Sequence, residues 1–212
     1  MLLTRARAAP VLRGFHARRF ISTLDSNRYI KVFPNAALDG SHVLAYLDTP
    51  TPPRLIIGTT TELPPTPRSF TENCEIYPIL NEVLAKWVSQ DPSVQSRAQA
   101  FVSSAGAGFS HQQRRPRQKS GLGTDKGAGG GGGGRGGHFM HVSDLRKVPD
   151  FGRICEPEDM LGSVEVNEQG HIVGEFQPSG TYRIVTNDGI LGLGDFLTQK
   201  LIERLQQEER KG

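Results

Sequence analysis

The spacing of apolar residues changes period several times along this chain. In residues 28–61 it is close to two: Tyr29-Ile30-Lys31-Val32-Phe33 alternates, and His42 to Leu47 and Arg54 to Thr60 are β-branched or apolar runs. With Pro34-Asn35 and Asp39-Gly40 as turn signals, these runs predict short strands. Asp48-Thr49-Pro50-Thr51-Pro52-Pro53 separates two of them, and because prolines supply no ladder donors it predicts a rigid loop. Leu63-Pro64-Pro65-Thr66-Pro67 predicts an extended, polyproline-like piece.

Between residues 76 and 90 the period lengthens. Ile76, Ile79, Leu80, Val83, Leu84, Trp87 and Val88 recur at three- and four-residue spacing, a wide apolar stripe on a helix with Pro78 in its first turn. Asp91-Pro92 then predicts an N-cap followed by proline at the first helical position. The helix it opens carries Val94, Ala98, Phe101 and Val102 on one side.

The alternation returns in the last third. Ser163-Val164-Glu165-Val166, residues 171–176 and Thr181-Tyr182-Arg183-Ile184-Val185-Thr186 predict three strands, with turns at 167–170 and 177–180. Asn187-Asp188-Gly189 is a hairpin signal, since Asp-Gly supplies the positive φ values of such turns. A final helix should begin at Asp195 as N-cap, bury Phe196, Leu197, Leu201, Ile202 and Leu205, and fray over its charged tail, 206–212.

These elements predict an α+β fold, an antiparallel β-meander packed against two or three amphipathic helices and interrupted by a long Gly-rich disordered linker. The linker is residues 105–137, ending in a glycine tract too entropically costly to order. The organisation expected is a presequence over 1–25, strands and helices over 26–104, the linker, and a meander with helix over 138–212. Each half alone is near the lower limit for an independent core, so the later strands are expected to join the earlier ones in one unit.

Charge changes the picture at the N-terminus. The whole chain carries +3, but the first 20 residues hold Arg5, Arg7, Arg13, Arg18 and Arg19, and the first acid is Asp25. Beyond them stand 20 basic against 22 acidic residues, a net charge near −2. An Arg-rich, acid-free start with interspersed Leu, Val and Phe has the composition of a mitochondrial transit peptide. A secretory signal needs an apolar core of roughly 7–15 residues, and arginines interrupt every candidate. Arg18-Arg19-Phe20-Ile21-Ser22 resembles sites cut by matrix processing peptidases, which places the mature N-terminus between Phe20 and Arg28. No apolar run approaches the ~20 residues of a membrane helix. Cys74 and Cys155 form no Cys-x-x-Cys pair and read as reduced thiols in a matrix protein.

Candidate chemistry is sparse. His138, His141 and Asp144, with Cys155 and His171 further on, are residue types zinc accepts, but in a strand positions three apart point to opposite faces. The acids Glu156, Glu158 and Asp159 around Pro157 could share proton transfer, yet they also suit a helix or turn N-terminus. No Gly-x-Ser-x-Gly elbow or phosphate-binding glycine motif is present. Arg114, Arg115, Arg117 and Lys119 form a basic run in the linker, but scant aromatic interleaving and the acidic mature chain argue against a nucleic-acid partner. Thr59, Thr60, Glu62 and Arg68, in a hydroxyl- and proline-rich connector, together with Arg183, are candidate pocket or partner contacts.

Leu55-Ile56-Ile57-Gly58 with Leu63-Pro64-Pro65-Thr66-Pro67, His141-Val142-Ser143-Asp144-Leu145-Arg146, Pro149-Asp150-Phe151-Gly152-Arg153, and Gly180-Thr181-Tyr182-Arg183-Ile184-Val185-Thr186 resemble a family of small fungal mitochondrial proteins with no assigned activity. The resemblance covers the mature chain outside the linker. It implies the location and supplies no mechanism, cofactor or site residues. The function expected is therefore a soluble mitochondrial, matrix protein that binds protein partners as an assembly or accessory factor, without a cofactor. The rival expectation is a small enzyme or ligand-binding domain with a pocket lined by His42, His141, Glu158 or Arg183; an RNA-associated factor is third.

Overall fold

The computed structural model describes residues 22–35, 38–49, 51–109, 138–150 and 153–211, with 104–109 in backbone only. It is α+β. Strands β1 (Ser22–Leu24), β2 (Asn27–Pro34), β3 (His42–Ala45), β4 (Gly58–Thr60) and β5 (Phe70–Glu72) form one antiparallel meander in chain order. Its register puts Val32 opposite Leu44, Leu44 opposite Gly58 and Thr59 opposite Thr71. Helices α1 (Ile76–Trp87) and α2 (Pro92–Phe109) follow. The chain then runs through β6 (His138–Ser143), β7 (Met160–Val166) and β8 (Gln177–Pro178), a second antiparallel sheet, and the hairpin β9 (Val185–Thr186) and β10 (Gly189–Ile190), and ends in α3 (Asp195–Lys211). Among the described residues no helix is long and apolar enough to cross a membrane.

The stripes seen in the sequence are the faces buried. Ile76, Leu80, Val83 and Leu84 of α1 and Leu197, Leu201 and Leu205 of α3 are buried, and the two helices pack on each other with Trp87 edge-on to Phe196, ring centres 6.4 Å apart. Ile30, Leu44 and Ile57 from the first segment lie in the same core cluster as Val164, Ile184 and Leu191 from the second. Asp91 caps α2 as expected: its Oδ1 accepts from the Ser93 N–H at 2.7 Å and the Val94 N–H at 3.4 Å. The α2 backbone continues to Phe109, into the stretch expected as linker; residues 110–137, and residues 1–21 of the expected presequence, lie outside the described residues.

Several details depart from expectation, each with a local cause. The later strands do not join the five-stranded sheet but keep two sheets of their own, and only the core is shared. Leu55-Ile56-Ile57 is not strand, because Pro53–Leu55 turns as a 3-10 helix and the Asn73 side chain takes the carbonyls of Pro53 and Ile56. Residues 171–176 make one isolated bridge, Val166 to Ile172, and Gln177–Pro178, read as a turn, is the strand that pairs with β7. There the Phe176 ring occupies the space a Cβ on Gly162 would need, as Phe70 does over Gly58 in the first sheet. Only Val185–Thr186 of 181–186 is strand, since the Thr181 hydroxyl and the Arg183 N–H turn to the carbonyls of Pro157 and Glu158.

In α3, Asp195 is the first helical residue, not the cap, and its carboxylate accepts from the Tyr29 hydroxyl at 2.9 Å. The helix also does not fray at 206. Glu208 pairs with Arg204 and Lys211 on its own helix and with Arg54 across from it, so its carboxyl is held down at about 2, chiefly by the Arg204 hydrogen bond.

Candidate functional site

Where β6 leaves its sheet the chain turns Asp144 and Arg146 into the interior. The Asp144 N–H donates to the Asp159 carbonyl (2.9 Å) and the Leu145 N–H to the Gly192 carbonyl (2.8 Å), so backbone bonds fix the turn from both sides. The Asp144 carboxylate accepts from the Arg146 N–H (2.8 Å), the Gly192 N–H (3.0 Å) and the Tyr182 hydroxyl (2.6 Å). The Arg146 guanidinium lies over the Tyr182 ring, 5.2 Å from its centre. Its Nε donates to Asp159 Oδ1 at 2.7 Å. Its remaining nitrogens reach the carbonyls of Ile184 (2.8 Å), Glu158 (2.9 Å) and Arg183 (2.8 Å). The Arg146, Asp144 and Asp159 side chains are 3%, 0% and 1% exposed.

Two carboxylates and one guanidinium therefore share a space almost without water. Burial pushes the Asp144 carboxyl above the usual carboxylate range, against the opposing pull of Arg146 and the Tyr182 hydroxyl. Burial beside Asp144 pushes the Tyr182 hydroxyl far up, so it stays a phenol and a donor. For Arg146 burial opposes the charge, but Tyr182, Asp144 and Asp159 outweigh it and raise its pKa. The Tyr46 hydroxyl, pushed up by burial and then by Asp144, and the second oxygen of Asp159 are both buried without a hydrogen-bond partner among the described residues.

The geometry of Arg146 is that of a clamp, because three of its contacts are to main chain in two separate segments, 158 and 183–184. Those segments form one wall of an open cleft of about 600 Å³ whose other wall is β5. Phe70, Thr71 and Glu72 face Glu158, Arg183 and Val185 across it. Glu72 closes one end: its carboxylate accepts from the Ile184 N–H at 3.2 Å and the Tyr77 hydroxyl at 3.0 Å. The side chains of Glu158 and Arg183 form no ion pair among the described residues.

Of the contacts expected from sequence, Arg183 lines this cleft, with Glu158 beside it. Thr60 is buried, its hydroxyl donating to the Glu62 carbonyl (2.9 Å) and meeting Ser69 Oγ (3.2 Å); it ties the connector to itself. Thr59 pairs with Thr71 in the ladder, and Glu62 and Arg68 are exposed outside the cleft wall. His42 pairs with Thr60. The metal candidates do not converge. His138 packs against Phe101, His141 Nδ1 meets Ser163 Oγ at 2.9 Å and Asp144 belongs to the buried centre. Among the described residues no three His, Cys, Asp or Glu side chains are placed to hold a metal ion. Both cysteines are free, and burial pushes the Cys155 thiol up, away from reactivity.

Sequence reasoning missed Arg146 and Tyr182, and it weighed Asp159 only as a proton-transfer or capping acid. Asp159 sits in the run read as turn-capping, and a 3-10 turn does form over Pro157–Asp159, but no side chain caps it; Asp159 turns inward instead. The available signal was an acid and an arginine two apart at the end of an apolar strand, which does not distinguish a buried pair from a solvated one. Compared with family models, curated proteins and solved structures, the chain gives no significant match.

Proposed function

We propose that this is a soluble protein of the mitochondrial matrix that acts by binding, as an assembly or accessory factor, with the cleft between β5 and residues 183–187 as its working surface. The observation that carries the reading is the use made of Arg146. Its donors are spent on Asp159 and on the carbonyls of Glu158, Arg183 and Ile184, which holds the cleft wall rigid. The charges left over, Glu158 and Arg183, stand on that wall with no ion pair among the described residues. A preorganised wall carrying unspent charge favours association, since little ordering remains to be done on binding. The Arg-rich, acid-free first 20 residues support the location.

The test is native-size fractionation of the endogenous protein from gently lysed mitochondria, with mass spectrometry of whatever travels with it. Co-migration with a defined complex, and a mature N-terminus between Phe20 and Arg28, are the expected results. Intact Met1 or Leu2 in purified mitochondria would overturn the location, and migration at monomer mass without companions would overturn the accessory role. That second outcome would favour a ligand-binding domain or small enzyme using the same cleft, a reading favoured by Glu158 and Arg183 lining it together.

A further inference from the structure

The two strands that border the cleft are both the last in their sheets. β5 ends the order β1-β2-β3-β4-β5 and β9 ends the order β10-β9. In an antiparallel ladder the polar groups of alternate residues turn to the same side. The Thr61 N–H bonds the Ser69 carbonyl and the Asn73 N–H the Ile57 carbonyl, both at 3.1 Å. By that alternation Thr71 faces β4, and the main-chain groups of Phe70 and Glu72 face away from it. In the hairpin the Leu191 N–H bonds the Ile184 carbonyl at 2.8 Å and Thr186 stands opposite Gly189. The Ile184 carbonyl and Thr186 therefore serve that ladder, and the N–H and C=O of Val185 point away from it.

Val185 is only 3% exposed, and the hairpin register turns its N–H and C=O away from β10, where no loop or turn hydrogen bond among the described residues reaches them. Buried main-chain polar groups are nearly always paired, so this edge is incomplete as it stands. The end of the cleft already shows how the gap is bridged, where the Glu72 carboxylate accepts the Ile184 N–H in place of a neighbouring strand.

Resting on the binding role proposed above, we infer that the cleft is a strand-addition groove. An extended peptide segment of a partner protein lies between β5 and β9, hydrogen-bonds to the outward groups of Glu72 and Val185, and joins the two sheets. Its specificity comes from one acidic and one basic side chain on the face it turns to Arg183 and Glu158. Main-chain bonds give such a guest affinity for any sequence, and side-chain contacts select among sequences. Edges of two and three residues are short enough to resist indiscriminate pairing, which leaves the decision to those charges.

The full chain, immobilised, is offered a phage-displayed library of random linear nonapeptides, and hydrogen exchange is followed with the selected peptides. Enriched sequences should carry both charges, and at saturation they should slow exchange of the Glu72 and Val185 amides by on the order of tenfold. The double exchange Arg183→Glu with Glu158→Arg should select peptides with the two charges transposed. Absence of enrichment, or peptides that bind while those two amides exchange as before, overturns strand addition. Protection of the two amides with a selection indifferent to the charge exchange overturns the charge assignment. A stable complex in the fractionation experiment alongside unprotected amides leaves the binding role standing and removes only this mode of it.

Discussion

Arg146→Met tests the clamp directly. Methionine replaces much of the aliphatic stem, so the change removes charge and donors with little loss of packing. It leaves Asp159 and Asp144, 1% and 0% exposed, facing each other's field without a cation, and it takes a donor from three carbonyls, two of which, Glu158 and Ile184, keep the N–H groups of Arg183 and Leu191. Removing one partner of a buried ion pair costs about 3–5 kcal/mol. The lost carbonyl contacts belong to the same network and are not added separately. Against a total stability of ~5–15 kcal/mol this is a large fraction. At about 2–4 °C per kcal/mol for a chain of this size, Tm should fall by roughly 6–20 °C. Equilibrium urea unfolding followed by far-UV circular dichroism at pH 7 reads the difference, with Arg146→Lys alongside. Lysine restores the charge but not the planar fork, so it should recover only part of the loss.

The pH dependence gives a second handle with a definite sign. Burial raises the Asp144 carboxyl in the wild type against the opposing pull of Arg146, and removing the guanidinium takes that pull away. Such a group binds its proton more tightly in the folded state, so it destabilises above its folded pKa and stops doing so as pH falls through it. The deficit of Arg146→Met should therefore shrink as pH is lowered from 7. A deficit under about 1 kcal/mol, or one that grows on acidification, would refute the reasoning that Arg146 compensates buried charge.

Three further substitutions probe other parts of the fold. Tyr46→Phe removes a buried hydroxyl that has no partner among the described residues, so thermal unfolding should show no loss and a gain of up to about 1 kcal/mol; a clear loss means the hydroxyl is satisfied in solution. Gly58→Ala sets a Cβ against the Thr71 carbonyl and the Phe70 ring, which should cost about 1–3 kcal/mol in urea and weaken peptide binding by displacing β5; an unchanged urea midpoint would show that β5 gives way freely. Asp91→Ala uncaps α2 and should cost about 0.5–2 kcal/mol by thermal melting, and a wild-type melting curve would mean the cap contributes nothing.

Local pattern carried the elements whose burial is one-sided. Helical period marked the buried faces of α1 and α3, Asp91-Pro92 marked the start of α2, and alternation over residues 29–33 marked β2, because each signal is written in residues a few positions apart. Where a strand depends on its partner the pattern misled: 171–176 alternates like a strand but lacks a ladder, and Gln177–Pro178 resembles a turn but has one. The candidate site was legible only at Arg183 and Glu158. Its organising residues, Arg146, Asp159 and Tyr182, pair across 13 to 38 positions, and a charged residue in sequence looks the same whether its partner is water or a buried carboxylate. The sequence by itself thus determined the α+β composition of elements, the apolar faces they bury and the acid-free basic start of the chain, all set by nearest-neighbour chemistry. The tertiary structure alone decided which strands end their sheets, which acid turns inward and which arginine holds the cleft wall, because those depend on contacts between residues far apart in the chain.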